Sequence, residues 1–193
     1  VSSKQIACRF KQRGVTNVSP SFMNPDIRIA KPDDVEAIVS LVNAAYRPSG
    51  DSKGWTHESD MVEGERVTSE QVQALFVPDS VVFVAEENQQ LLACVHLCKE
   101  DDCAHIGMLA TNPNLQTKGY GKAMLAHAEN YALENFSSRK FEMVVISERV
   151  ELVTFYLRRG YQKTGRVEGY PVSAGVGIPK VQGLTIEVLQ KLA

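Results

Sequence analysis

The chain has 193 residues, with 21 basic and 23 acidic side chains, a formal charge of -2 and 44% hydrophobic residues, the makeup of one folded domain with a buried core. It lacks the Lys/Arg excess of a nucleic-acid clamp or polybasic membrane binder, and no apolar run reaches the roughly 18 residues of a membrane span. Four cysteines (Cys8, Cys94, Cys98, Cys103) without a CxxC pair are expected to be reduced thiols in a cytoplasmic protein.

Residues 1–25 carry four bases, no acid and no sustained apolar period. They are expected to be a disordered or over-called extension, with an organellar transit peptide as the alternative. The domain is placed at 26–193. Ile27 to Ala30 alternates as a short strand, and Asp33 to Tyr46 predicts a helix with Asp33 as N-cap, Glu36 completing a capping box, and Val35, Ile38, Val42 and Ala45 on one face. Residues 47–67 are Gly-, Ser- and acid-rich, a long loop too polar for a core element. Thr68 with Gln71 opens a second short helix, stopped at Pro78.

Three apolar runs follow, Val81 to Glu86, Leu91 to Lys99 and Cys103 to Thr111, joined by turns short enough to demand antiparallel hairpins. A long helix spans about Gly119 to Phe136. Phe141 to Ile146 is a near-continuous apolar run, predicted to be a strand covered on both faces. Val150, Val153 and Leu157 space a helix that ends at Gly160. Closing strands at Tyr161 to Thr164 and Leu184 to Leu189 flank a Gly- and Pro-rich excursion. The order βα(α)βββαβαββ predicts an α+β fold with a mixed, mainly antiparallel sheet flanked by helices.

The stretch Gln116-Thr117-Lys118-Gly119-Tyr120-Gly121-Lys122 joins a strand to the long helix. At such a helix start the first amides lack intrahelical acceptors and the dipole is positive. Two glycines allow close approach of an anion, and Lys118 and Lys122 add charge, so the segment predicts a pyrophosphate cradle. A Walker A loop fails here at Asn114 and Ala123. The dinucleotide pattern GxGxxG/A meets Gly119 and Gly121 but fails at Met124, and it belongs in a parallel βαβ unit. Q/R-x-x-G-x-G/A is met throughout from Gln116 to Gly121.

That segment, preceded by Ile106-Gly107-Met108-Leu109-Ala110-Thr111-Asn112-Pro113, resembles motif A of the GNAT superfamily of acyl-CoA-dependent N-acyltransferases. Ser147 to Tyr161 (SERVELVTFYLRRGY) is similar to its motif B, although Glu148-Arg149 stands where the family helix often begins with Asn. The resemblance implies a GNAT-like fold and acetyl-CoA as co-substrate, and because no peptide-binding signature is visible the acceptor is expected to be a small-molecule primary amine. The charge balance and the lack of a long apolar run predict no nucleic-acid or membrane partner, and a homodimer is left open.

By the same resemblance, Gln116, Thr117, Lys118, Gly119, Tyr120, Gly121 and Lys122 would hold the diphosphate. Backbone groups of Met108, Leu109 and Ala110 would pair with the pantetheine arm, an amide at Leu109 or Ala110 would face the thioester oxygen, and Tyr156 would be the general acid. His105 is a candidate base or a half-exposed sheet residue, with Glu58 and Glu63 as other candidates. Phe155 and Leu157 are expected in the core. The acceptor pocket is expected from the segment Tyr46 to Val67, with Trp55, Glu58, Asp60 and Glu63, and from residues 170–179. The four histidines show no metal-ligand spacing, and no metal is expected. The rivals are an idle CoA-binding module and a nicotinamide-dependent reductase.

Overall fold

The computed structural model describes residues 26–48 and 57–193. The terminal extension and Trp55 lie outside these residues. The elements run β1 (Asp26–Ile29), α1 (Val35–Tyr46), β2 (Val62–Glu63), α2 (Ser69–Gln73), β3 (Ser80–Glu87), β4 (Gln90–Glu100), β5 (Cys103–Thr111), α3 (Tyr120–Asn135), β6 (Lys140–Ile146), α4 (Val150–Leu157), β7 (Gln162–Gly169), β8 (Ile178–Pro179) and β9 (Thr185–Leu192). The main sheet has the order β1-β3-β4-β5-β6-β9-β7, and β2 and β8 form a small second sheet. All pairs are antiparallel except β5–β6. The α+β class and its mainly antiparallel sheet are as the sequence predicts. Among the described residues, no helix is long and apolar enough to cross a membrane.

Helices cover both faces. On one side Val35, Ile38, Leu41, Val42 and Ala45 of α1 pack with Val72 of α2 onto Val82, Val84 and Cys94. On the other, Met124, Leu125, Ala128 and Ala132 of α3 and Val153 of α4 pack onto Phe83, Val95, Leu97, Phe141 and Leu189. Such burial, worth about 1.5–3 kcal/mol for each large side chain, holds the layers together.

Four local expectations change. Asp33 is not the N-cap of α1: Pro32–Asp34 forms a 3-10 turn first, and Asp34 spends its carboxylate on the Lys31 amide (2.7 Å) and on both terminal nitrogens of Arg28. The segment 47–67 is more than a polar loop, since Val62 is fully buried and pairs in β2 with β8. There the chains come so close that a Cβ on Gly177, at φ +108, would sit 2.7 Å from the Glu63 carbonyl oxygen, which requires glycine. Strand β6 is not apolar on both faces: Val144 is 56% exposed and Glu142 is buried. Leu157, expected in the core, is exposed.

Strand β5 positions everything that follows. In a regular strand Ala104, Ile106, Met108 and Ala110 would share one face. Here Ala104 and Ile106 join the α3 side of the core, while Met108 and Ala110 join the α1 side. The switch falls where the β4–β5 register slips between Cys94 and His96, with Met108 at φ +50, a β-bulge in the middle of the strand.

Candidate active site

The parallel pairing of β5 with β6 covers only Cys103, Ala104 and His105, opposite Lys140, Phe141 and Glu142. Beyond His105 the two strands part. Strand β6 continues against β9 and β5 against β4, so the β6-facing edge of β5 is open from Ile106 onward. A cavity of about 380 Å³ fills this splay. Ile106 to Leu109 form one side and Met143 to Ile146 the other. Tyr156 lines it from α4, and Tyr46, Glu58, Arg66 and Tyr170 line it from the opposite face of the sheet. It is a passage through the sheet rather than a surface dent.

A second, smaller cavity of about 230 Å³ lies over the loop 115–122 and is also lined by Thr111, Phe155 and Arg159. Gly119, the N-cap of α3, sits at φ +89 and no side chain caps the helix. The bond from the Ala123 amide to the Gly119 carbonyl (3.0 Å) is the first of the helix, so the amides of Tyr120, Gly121 and Lys122 precede the ladder at its positive end. Thr117, Lys118 and Lys122 are exposed around it. The Tyr120 side chain is buried in the core, so this residue offers the groove its backbone alone. Phe155, expected in the core, is half-buried in the groove wall with the Arg159 guanidinium stacked 3.3 Å from its ring centre. Arg159 is a cation the sequence reading missed; its signal is its position one helical turn after Phe155.

Tyr156 is 7% exposed, and burial, with Tyr46 nearby, raises its phenol above the ordinary value. Burial likewise raises the Tyr46 phenol, which donates to the Leu109 carbonyl (2.9 Å). That bond commits one of the β5 carbonyls expected to be free. Glu58 is buried in a 2.7 Å ion pair with Arg47, whose other nitrogen donates to the Val176 carbonyl. This pairing makes Glu58 a wall of the cavity and a poor candidate for a base. Glu63 is exposed on β2 and does not line the cavity. Asp60 is exposed beside His57. Tyr170, Pro171, Ala174 and Val176 do line it, as expected for residues 170–179.

His105 stands at the apex of the splay with its Nε2 2.9 Å from Glu100 and with Glu142 directly across on β6. Glu142, 7% exposed, was not anticipated. Its oxygens lie 3.5 Å from Arg166 and from Gln190, the outer limit of hydrogen bonding. Cys103, His105 and Glu142 each place a ligand atom within 4.8 Å of the others. Spacing along the chain hides this convergence, because Glu142 comes from the neighbouring strand. His96, also unanticipated, lines the cavity 2.9 Å from the Ser80 hydroxyl, and burial pushes its pKa down to about 4. Arg149, at the start of α4, is buried and donates to the His57 carbonyl (2.7 Å). The departure from Asn at this motif therefore serves to tie α4 to the loop before β2.

The same overall fold recurs among known structures. A Streptococcus mutans protein superposes with a TM-score of 0.67 at 16% identity, over 86% of this chain and 98% of that one. An N-acetyltransferase from Staphylococcus aureus gives 0.66 at 17% identity, over 86% and 96%. A variant spermidine N-acetyltransferase from Vibrio cholerae gives 0.62 at 17%, over 86% and 94%. At such identities the likeness establishes the fold. No curated protein sequence matches significantly. Residues 36–161, more than half of the chain and including both the glycine loop and Tyr156, match the sequence profile described as the Acetyltransferase (GNAT) family. The chain belongs to that family and is an acyltransferase.

Proposed function

We propose that this acyltransferase moves an acetyl group directly from the thioester of acetyl-CoA to the primary amine of a small molecule. The observation that carries the reading is that β5 borders both cavities, Ile106 to Leu109 lining the one in the splay and Thr111 the one at the uncapped start of α3. A nucleotide diphosphate would lie on the amides of Tyr120 to Lys122, where the helix dipole favours negative charge, with Lys118, Lys122 and Arg159 around it. The pantetheine arm would add to the open edge of β5 as an extra strand, using backbone groups of Met108 and Ala110. An amide at Leu109 or Ala110 would polarise the thioester oxygen.

Direct attack needs a neutral amine, and an ammonium has a pKa near ~10. His96 cannot supply the base, because an imidazole whose pKa is held at about 4 has little pull on such a proton. His105, at the apex with Glu100 beside it, is the base in this reading. As the carbon–nitrogen bond forms and the carbon–sulfur bond breaks, the leaving thiolate takes a proton from Tyr156. The phenol is protonated at neutral pH, and because burial raises its pKa the transfer is uphill, so close positioning against the sulfur must compensate.

The test is thiol release from acetyl-CoA against a panel of polyamines, aminoglycosides and amino acids. The reading expects release with at least one amine and loss of most of it in Tyr156→Phe. Coenzyme binding without release against any amine would instead mark a module that binds CoA and does no chemistry.

A further inference from the structure

The acceptor-side cavity contains one arginine whose charge the described residues leave unmatched. Arg47, Arg149 and Arg166 each lie within ion-pair distance of a carboxylate, of Glu58, Glu151 and Glu142 respectively. Arg66 has none among the described residues. Its guanidinium lines the cavity over the ring of Tyr46, 5.4 Å from the ring centre. It is not a loose surface side chain. Asn43 on α1 accepts from the Arg66 amide (2.7 Å) and the Val67 amide (3.2 Å) and donates to the Val67 carbonyl (3.0 Å). Three bonds thus clamp the backbone that carries Arg66 to the same helix that supplies Tyr46.

A half-buried guanidinium in a cavity wall, with no acceptor among the described residues, is suited to bind an anion. Lining the same cavity, Glu142 is buried and held only by contacts at 3.5 Å, with His105 opposite it. One cavity therefore offers an unpaired guanidinium and, at a separate place, a carboxylate held by Arg166 and Gln190 at 3.5 Å. A ligand that complements both carries an ammonium and a carboxylate.

We propose that Arg66 binds the carboxylate of the acceptor, so that the acceptors are small amino acids rather than simple amines or polyamines. The carboxylate would lie in the fork of Arg66 beside Tyr46 and Tyr170, and the amine would face Glu142 and His105. A phosphate is a poorer match, because a doubly charged group in a wall of tyrosines would need more than one arginine. The proposal rests on the function proposed above and names the substrate class of that site.

The test compares each common amino acid with its C-terminal amide, which keeps the amine and removes the negative charge. Binding is followed by calorimetry on the CoA-loaded protein, and turnover by thiol release from acetyl-CoA. At least one amino acid should bind tenfold or more tightly than its amide. Arg66→Gln should erase the difference and Arg66→Lys should restore part of it, with coenzyme affinity unchanged in both. Equal binding of acid and amide by the wild-type protein, no binding of either, or a preference that survives Arg66→Gln would overturn the proposal. Failure of every amine to release thiol from acetyl-CoA would count against the acetyltransfer reading, while the calorimetry would still decide the role of Arg66.

Discussion

The glycine loop occupies seven consecutive positions, Gln116 to Lys122, whereas the acceptor-side cavity draws on Tyr46, Glu58, Arg66, His105, Glu142 and Tyr170 from five separate segments. Thr117, Lys118, Gly119 and Lys122 are exposed, and the loop offers backbone amides that a helix start leaves unpaired whatever the side chains. The cavity is made of side chains that also hold the protein together, such as the buried pair Arg47–Glu58. The difference teaches where function and stability share residues. Changes in the loop should register in coenzyme binding, and changes in the cavity should register in folding as well.

Glu58→Ala should produce the largest effect. It strands the Arg47 guanidinium in a buried site, and losing one partner of such a pair costs about 3–5 kcal/mol. Urea unfolding should report that loss, and the double variant Arg47→Met/Glu58→Leu should recover most of it. Unchanged stability in Glu58→Ala would break the comparison.

His96 gives the cavity a pH signature. Its pKa is about 4 in the fold, against about 6.5 in an unfolded chain. Between these values the unfolded state holds the extra proton, so stability is complete above pH ~6.5 and is lost as the pH falls toward 4. The loss should approach about 3 kcal/mol at the acid end. Urea midpoints from pH 7 to 4.5 should therefore fall more steeply for the wild type than for His96→Gln; parallel slopes would remove this link.

Tyr156→Phe should lower kcat about a hundredfold while leaving acetyl-CoA affinity intact, as expected for a lost general acid. An equal loss of affinity would reassign Tyr156 to packing. Gly119→Ala should be smallest in stability, at about 1–2 kcal/mol for a side chain forced to φ +89, with KM for acetyl-CoA rising about tenfold and kcat nearly unchanged. A kcat defect there would blur the line between the two regions.

The same contrast governs what could be read before the fold was known. The glycine loop was legible because its evidence is local: a strand, two glycines, two lysines and a helix in sequence order. The order of elements and the Thr68–Gln71 cap were legible for the same reason. The N-cap of α1 was misplaced by one residue, since nothing local says that Arg28 and the Lys31 amide will claim Asp34. Glu142 carried a signal that went unused: alternation puts Phe141, Met143 and Val145 on one face and Glu142 and Val144 on the other, so a lone acid in that run marks the open side. Arg159 stands one helical turn after Phe155 in the sequence, whereas Arg66 and His96 become informative only when the sheet brings distant segments together. The β-bulge at Met108 belongs to this group, since pairing between strands creates it.

The central claim is that acetyl-CoA enters between β5 and β6 with its diphosphate on the start of α3. Amide hydrogen exchange with and without CoA tests it most directly, because both anchor points are backbone groups. The account predicts slowed exchange at Tyr120, Gly121 and Lys122 together with slowed exchange at one or more amides of Met108 to Ala110. Saturating CoA that leaves both stretches exchanging at their free rates would contradict it.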